Sequence, residues 1–222
     1  MSEGAGTRAE TAYGELKRRV LNNAFPAGAY VLEQELADLL QMSRTPIREA
    51  LVRLSNEGLV EIRPRHGMRV IPISAADMAE IYTILTALEA EVAAEVARRG
   101  LTPAERAALR GAVAAMDAAL EAEDLDAWAA ADADFHAHLV AASANRRLRS
   151  AILQYWEQAH RVRMVTLRLR PKPVQSTQEH HALVDALEAN DPAQAAKLHR
   201  AHRERAATLL AEILKTLGSP AL

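Results

Sequence analysis

The sequence has no cysteine, and several other features are absent or rare among its 222 residues. Without cysteine, disulfides, thiol nucleophiles and zinc–thiolate sites are excluded. No run of about 18 apolar residues is present, so no membrane-spanning helix is predicted. The N-terminus also lacks the basic stretch and apolar core of a signal peptide. We therefore expect a folded cytoplasmic protein that does not enter a membrane.

Charged residues, which make up 25% of the chain, are unevenly distributed. The net charge is −2, yet the segment from Arg44 to Val70 holds six arginines against three glutamates. From Ser74 onward the chain carries 17 basic and 20 acidic residues. A locally basic segment on an otherwise acidic protein indicates a nucleic-acid-binding surface, although an ordinary solvated face would explain the cluster equally well by itself.

The first predicted domain, residues 8–73, has the pattern of a winged helix-turn-helix. Ser43 is a predicted N-cap, because it precedes a run with helical apolar spacing. Two short β-like runs flank Pro64–Gly67, which predicts a small β-hairpin wing. The predicted elements are helices over Thr11–Asn22, Glu33–Leu40 and Ser43–Asn56 and strands over Leu59–Ile62 and Met68–Ile71.

The second predicted domain, residues 77–217, is alanine-rich and helical throughout. Helix-start signals recur along it, including capping boxes and prolines in first turns. They lie at Thr102–Glu105, Ser176–Glu179 and Asp191–Pro192. About six helices are predicted, and an antiparallel bundle is their natural packing. The predicted fold class is therefore mainly α, with the hairpin as its β element.

The helix after Ser43 has the arrangement that a recognition helix needs. At about 100° per residue, its apolar residues share one face, and Arg44, Thr45 and Arg48 lie roughly 140° away from that face. Arginine can bind guanine in a bidentate way, whereas Ser43, Thr45 and free N–H groups at a helix start suit phosphates. An ordinary surface helix with exposed arginines remains the alternative for this segment alone.

The predicted wing adds a second basic element. Arg63, Arg65 and His66 cluster near its tip, and Gly67 permits a close approach of the backbone. A basic wing beside a basic helix is a two-part footprint for DNA. The alternative for the wing is a solvated loop.

The stretch Leu36–Val60, with Ser-Arg-Thr-Pro-Ile-Arg-Glu-Ala-Leu at 43–51, resembles the winged helix of GntR-family regulators. The resemblance spans about residues 11–73 and implies a DNA-binding domain. Two residues depart from the family pattern. Gln41 stands where glycine is usual, and a left-handed backbone there would cost roughly 1 kcal/mol. Gln34 stands where some members place arginine. The implied DNA contacts are Gln34, Arg44, Thr45, Arg48, His66 and Gly67.

Seven of the eight histidines lie after residue 130. Asp132 and His136 are spaced i, i+4 and therefore point the same way from one helix. His180 and His202 belong to two further predicted helices. One carboxylate and three imidazoles could enclose a divalent ion such as zinc, whereas a chance helical pair with unrelated histidines is the simpler alternative. His199 shares a face with His202, so it could be an alternative ligand or a partner of a ligand.

Four segments of the second domain resemble the FCD ligand-binding domain, which defines the FadR subfamily of GntR regulators. They are Asp132–His136, Ala142–Asn145, Glu179–His180, and Asp191 with His202 eleven residues later. The resemblance covers about residues 77–215 and implies a helical bundle that binds a small metabolite, often a carboxylic acid. It also implies a metal held by four residues: Asp132, His136, His180 and His202.

One departure from this second pattern concerns the effector. Members often carry arginine in the first helix of the domain, and arginine is the natural bidentate partner of a carboxylate. Here Leu85 takes that place. Arg161 and Arg163 are the candidate substitutes for binding an effector carboxylate.

Together these patterns predict a homodimeric transcription regulator that binds a palindromic operator in double-stranded DNA and responds to a small organic acid. It is not predicted to be an enzyme. A metal-dependent hydrolase using Asp132 and the three histidines is one alternative, but it leaves the basic winged helix unexplained. An architectural DNA-binding dimer without an effector is the other.

Overall fold

The computed structural model describes residues 3–63 and 66–216, with side chains from residue 8 onward. Its helices are α1 (Glu3–Leu21), α2 (Glu33–Leu40), α3 (Arg44–Asn56), α4 (Ala75–Arg99), α5 (Pro103–Glu121), α6 (Leu125–Ala141), α7 (Arg146–Thr166), α8 (Val174–Glu188) and α9 (Pro192–Thr216). A 3-10 turn follows α7 at Leu167–Leu169. The strands are β1 (Tyr30–Val31), β2 (Val60–Arg63) and β3 (Gly67–Val70). None of the described helices is long and apolar enough to cross a membrane.

The chain divides into two compact units. Within the described residues, the first comprises 3–74 together with 160–165 of α7, and the second comprises 75–159 and 166–216. The predicted mainly helical architecture is confirmed: a helix-turn-helix with a small sheet is followed by six helices, α4 to α9.

The sheet of the first unit is larger than the predicted hairpin. Strands β2 and β3 pair antiparallel as predicted, with Arg63 opposite Gly67. Strand β1 adds a third strand on the other side of β3, with Tyr30 opposite Arg69. The sequence pattern missed β1, because two residues are too few to show a period of two.

The core of the first unit gathers the apolar faces of its three helices. The predicted inner face of α3, which includes Ile47, Leu51 and Leu54, is buried, so the opposite face meets solvent. Gln41 ends α2 in the left-handed region, at φ 52° and ψ 45°, as its place in the turn predicts. Ser43 has the backbone of an N-cap for α3, but its side chain makes no capping hydrogen bond.

Gly67 is required where the wing passes the start of α2. Its φ is +74°, and a Cβ atom there would lie 2.2 Å from the carbonyl oxygen of Val31 and 2.7 Å from the Cα of Leu32. Because backbone atoms of a packed strand cannot move aside cheaply, any other residue would distort the sheet.

In the second unit α4 packs along α9, and α5 packs against α6 and α8. The predicted capping box at α5 is present, since the Thr102 hydroxyl accepts from the Glu105 N–H and the Glu105 carboxylate accepts from the Thr102 N–H. At α9, the Asp191 carboxylate accepts from the Gln194 N–H, as a capping residue should.

The predicted capping box at Ser176 is wrong. Helix α8 begins two residues earlier, at Val174, directly after Pro173. The Glu179 carboxylate instead accepts hydrogen bonds from His202 on α9 and from Arg205. Charge-assisted bonds of this kind are stronger than a bond to a backbone N–H, which explains where the carboxylate points.

Candidate functional site

The four predicted metal-ligating residues converge inside the second unit. Asp132 and His136 lie one turn apart on α6, His180 lies on α8 and His202 on α9, and all are between 1% and 6% exposed. The Nε2 atoms of His136 and His180 are 3.3 Å apart. Asp132 Oδ1 lies 3.5 Å from Nε2 of His180 and 3.8 Å from Nε2 of His136. Ligand atoms of the three histidines all lie within 4.8 Å of one another.

Hydrogen bonds behind two of the histidines determine how they face this cluster. His180 Nδ1 lies 2.6 Å from the carbonyl oxygen of Ser176, to which it donates. His202 Nδ1 lies 2.7 Å from Oε2 of Glu179 and donates likewise. In the neutral form of each ring Nε2 then carries the lone pair, as a metal ligand requires. These partners are typical of the outer shell of metal sites, and Glu179 was not predicted in that role.

The electrostatic environment favours the protonation states of His180 and Glu179 that suit a metal site. Burial, helped by the neighbouring His202, lowers the pKa of His180 to about 3, so its ring is neutral. Burial acts to raise the pKa of Glu179, but the hydrogen bonds from His202 and Arg205 outweigh it and lower that pKa to about 2. A neutral imidazole is the form of His180 that can bind a metal, and an ionised Glu179 is the form that accepts the hydrogen bond from His202.

A second buried group lies beside the first and was not predicted, apart from His199. Glu89 of α4 and Arg203 of α9 form a buried ion pair, in which Oε2 of Glu89 accepts from Nε at 2.9 Å and from Nη2 at 2.5 Å. Nη2 of Arg203 also lies 3.2 Å from Nδ1 of His136. Burial opposes the charge on Arg203, but Glu89 raises the net pKa of the guanidinium above its usual value.

Several buried polar side-chain atoms of the second unit have no hydrogen-bond partner among the described residues. They are Glu89 Oε1, both ring nitrogens of His199 and the indole nitrogen of Trp156 on α7. Nε2 of His199 lies 3.3 Å from Oε2 of Glu89. Burial, followed by the nearby charge of Arg203, lowers the pKa of His199 well below its usual value, so this ring is neutral.

The donor set of the first group fits a metal ion. Three imidazole nitrogens and one carboxylate oxygen are ordinary ligands of divalent transition metals, and two of the nitrogens are oriented by bonds to their other ring atom. Glu89, His136 and His199 also bring one ligand atom each within 4.8 Å of one another. The buried cluster could therefore hold a metal ion.

The predicted DNA-contacting residues of the helices lie on the exposed side of the first unit. Arg44 and Arg48 have side chains 54% and 61% exposed, and both donate to the same oxygen, Oε2 of Glu33, at 2.8 Å. Thr45 and Ser43 are exposed at the start of α3. The amide of Gln34, also exposed, donates to Asp38 at 2.8 Å. Glu33 was not predicted, because it lies 11 and 15 residues from the two arginines that it binds.

In the wing, His66 is exposed, and its ring meets that of Tyr30 edge-on, with the centroids 6.4 Å apart. Gly67 is buried against the start of α2. The remaining predicted contact in the wing, Arg65, lies outside the described residues.

The two arginines predicted to bind an effector carboxylate lie in the 160–165 segment of α7. Arg161 is 3% exposed, its Nη1 donates to the carbonyl oxygen of Ile71 at 2.9 Å, and its Nε has no partner among the described residues. Burial lowers the pKa of Arg161 to about 10. Arg163 is half-buried.

Comparison with known families accounts for both units. Residues 8–70 match the bacterial regulatory proteins of the gntR family, and residues 80–205 match the FCD domain. A solved structure, E. coli McbR/YncC, superposes with a TM-score of 0.81 over 93% of this chain and 98% of its own. At 23% identity, that likeness shows a shared fold.

Two relatives are similar in sequence over most of their own length. One, an uncharacterized HTH-type transcriptional regulator in the TAR-I ttuE-ttuC' intergenic region of Agrobacterium vitis, is 45% identical over 139 residues, or 62% of this chain and 81% of that protein. The probable D-xylose utilization operon transcriptional repressor of Paenarthrobacter nicotinovorans is 33% identical over 176 residues, 78% of this chain and 75% of that protein.

These relatives are transcriptional regulators rather than enzymes, in agreement with the prediction. The matches to the winged helix and to the helical domain occur in the order that the sequence predicts. The chain therefore belongs to the GntR family of DNA-binding transcriptional regulators, in the FadR-type group that carries a C-terminal FCD domain.

Proposed function

We propose that this chain acts in the cytoplasm as a homodimeric regulator whose DNA binding is controlled by a carboxylic acid. Residues 8–73 would bind a palindromic operator, and residues 77–217 would dimerise and bind the acid together with a divalent metal ion. A two-fold dimer suits two half-sites related by the same symmetry. Binding of the acid would change operator affinity through a coupling free energy between the two sites.

The proposed DNA contacts divide by chemistry. Arg44 and Arg48, which are exposed near the start of α3, would read base edges, with guanine as the natural partner of arginine. Ser43 and Thr45 would bind phosphates beside the free N–H groups of the same helix start. The other proposed contacts are Gln34 in α2 and, in the wing, Arg65, His66 and Gly67.

The proposed metal ligands are Asp132, His136, His180 and His202, and zinc is the proposed ion. Tetrahedral zinc with Zn–N bonds of about 2.0–2.1 Å separates neighbouring nitrogens by about 3.3 Å. The Nε2 atoms of His136 and His180 have that separation, 3.3 Å. When bound, the ion would supply positive charge and, on expanding to a fifth ligand, a position for a carboxylate oxygen. Arg161 and Arg163 are the proposed arginine partners of a carboxylate.

The convergence of one carboxylate and three oriented imidazoles in a buried cluster is the observation that carries this proposal. A bundle that served only for dimerisation would gain nothing from four buried polar side chains, because burying such groups is costly unless they bind something. The first experiment therefore measures the metal.

Purified full-length protein is analysed for bound metals by mass spectrometry, beside His180→Ala and the control His138→Ala. His138 is exposed on the same helix as His136, so its loss should not affect the cluster. We expect about one divalent ion per chain in the wild type and the control, and little in His180→Ala. Equal metal in all three proteins would contradict the assigned ligands.

A second measurement tests regulation. The same proteins select fragments from the genome of their organism, and the recovered DNA is sequenced after washing at moderate salt. Sharp peaks over a palindrome are expected, and the neighbouring genes would nominate the acid. Flat recovery, persisting when zinc and a panel of organic acids are supplied, would remove the main support for specific operator binding.

A further inference from the structure

Tyr30 of β1 is a large aromatic residue that lies 56% exposed, and the proposed function does not use it. A single apolar side chain at a protein surface is ordinary and needs no function. Tyr30 differs because of what it touches. Its ring meets that of His66 at an angle of 76° with the centroids 6.4 Å apart, and the guanidinium of Arg69 lies over it, 5.7 Å from its centroid. Tyr30 therefore links the sheet to a proposed DNA contact of the wing.

The outer face of the small sheet carries Tyr30 among charged residues. Arg69 of β3 lies opposite Tyr30 on one side and opposite Glu61 of β2 on the other. Residues directly opposite each other in antiparallel strands share a face, and Arg63, two residues after Glu61, shares it as well. Among the described residues this face therefore holds two arginines against one glutamate, a balance that suits a polyanion.

Two contacts attach the wing to β1 at this point. The backbone of Gly67 passes Val31 and Leu32 so closely that a Cβ atom would not fit there. One residue earlier, the ring of His66 packs edge-on against that of Tyr30, a favoured geometry for aromatic pairs. The backbone contact fixes the path of the wing, and the ring contact restricts the direction in which His66 faces.

A residue that touches His66 would also lie close to the DNA backbone. The major groove of B-DNA is about 12 Å wide and the minor groove about 6 Å, so a side chain inside either lies within about 6 Å of a phosphate chain. The centre of the Tyr30 ring is 6.4 Å from that of His66, which is a comparable distance. Tyrosine hydroxyls are among the groups that bind phosphates in protein–DNA complexes.

We propose that Tyr30 is a further DNA-contacting residue of the wing. Its ring holds His66 in the orientation that meets the groove, and its hydroxyl donates to a phosphate beside that groove. This inference rests on the proposed function, in which His66 contacts DNA. A protein partner on the same face is the competing explanation, but the arginines beside Tyr30 oppose it, because the centres of protein interfaces are depleted of charge.

The first test removes only the hydroxyl group. Fluorescence anisotropy measures binding of full-length Tyr30→Phe to the selected operator and to a scrambled duplex. Affinity for both should fall by a similar factor of about 2–10, because a phosphate contact carries no sequence information. The dependence of affinity on salt should stay unchanged, since a neutral hydroxyl releases no counterion. The control is Tyr155→Phe, which loses the same group from α7 in the second unit and should bind like the wild type.

A second variant tests how the ring positions His66. Tyr30→Ala is compared with Tyr30→Phe in the wild type and in His66→Ala, and urea unfolding checks that each protein is folded. Tyr30→Ala should weaken operator binding more than Tyr30→Phe does, and this additional loss should disappear in His66→Ala. An additional loss of the same size in both backgrounds would overturn the positioning of His66, because a general loss of structure would not depend on that residue.

The remaining outcomes separate this inference from the proposed function. If Arg48→Ala weakens operator binding but both Tyr30 variants bind both duplexes like the wild type, the inference is wrong and the proposed function stands. An equal loss of affinity in Tyr155→Phe and Tyr30→Phe would overturn the phosphate contact. If the wild type binds no DNA, with or without zinc and organic acids, the proposed function and the inference fail together.

Discussion

Each unit of this regulator contains an arginine–glutamate contact near a proposed binding site, and the two contacts lie in opposite environments. In the first unit, Arg44 and Arg48 are 54% and 61% exposed and share a single acid, Glu33. In the second unit, the side chains of Glu89 and Arg203 are 0% and 2% exposed and pair with each other at 2.5 Å. Arginine thus pairs with glutamate at the surface of the first unit and in the core of the second.

The environment of each pair determines what the pair can do. Water and salt screen an exposed pair, so it stabilises the fold by about 0–1 kcal/mol, and its arginines can exchange their partner for DNA. A buried pair has no water to replace a lost partner, so breaking it leaves an uncompensated charge. We infer that the surface arginines serve an external ligand and that the buried pair defines the interior of the second unit.

The largest expected effect follows from breaking the buried pair. Arg203→Leu should lower the free energy of unfolding by about 3–5 kcal/mol, because Glu89 would stay buried without its cation. Urea unfolding measures the loss. Arg200→Leu, at an exposed position on the same helix, is the control and should change stability by less than about 0.5 kcal/mol.

The double variant Glu89→Leu with Arg203→Leu sharpens this result. Removing both charges leaves an apolar interior, so most of the lost stability should return. A double variant as unstable as Arg203→Leu alone would mean that the damage comes from lost packing of the arginine side chain rather than from the unpaired carboxylate.

A smaller effect, on DNA rather than on folding, is expected from Arg48→Ala. Losing one bidentate base contact should weaken binding to the selected operator by about 5–150-fold, with the unfolding free energy nearly unchanged because the side chain is exposed. Fluorescence anisotropy with the operator and with a scrambled duplex measures the difference.

Arg53→Ala is the matched control for Arg48→Ala. It removes an equal charge from the same helix, but Arg53 pairs with Glu10 and lies over the Tyr13 ring, 3.6 Å from its centroid. Loss of the Arg53 side chain should weaken binding to the operator and to the scrambled duplex by the same factor. The assignment of Arg48 to base reading fails if Arg48→Ala also weakens binding to the two duplexes equally.

The sequence predicted the parts of the fold that depend on local signals. The two helices of the DNA-reading motif begin and end close to the predicted residues, because apolar spacing and turn residues act over a few positions. Residue spacing alone did not predict that His180 and His202 converge with the Asp132–His136 pair. Spacing offered these four residues as one possible set, and the resemblance to a family supported that choice.

What the sequence did not predict depends on tertiary packing. Glu89 and Arg203 are separated by 114 residues, and no local pattern links them. The same holds for Glu33, whose partners lie on the next helix. The capping box at Ser176 failed for a related reason, since a distant His202 and Arg205 compete for the Glu179 carboxylate.

Replacing Glu33 should change DNA binding only slightly. In Glu33→Gln an uncharged amide replaces the carboxylate and attracts Arg44 and Arg48 less strongly. Both arginine side chains are therefore freer to bind phosphates. We expect affinity for a scrambled duplex to rise a few-fold at low salt and the gain to fade as salt increases. Unfolding stability should change by less than about 1 kcal/mol.

Glu10→Gln distinguishes this mechanism from a plain change in net charge. It removes one negative charge and frees one arginine, Arg53. Arg53 lies on α3 with Arg44 and Arg48 but is not one of the proposed base-reading residues. If Glu33 positions the reading arginines, Glu33→Gln should also lower the ratio of operator affinity to scrambled-duplex affinity, whereas Glu10→Gln should leave that ratio unchanged. If the two variants have the same ratio of operator affinity to scrambled-duplex affinity, Glu33 only lowers the net positive charge of the surface. The contacts of Glu33 with Arg44 and Arg48 would then have no part in specificity.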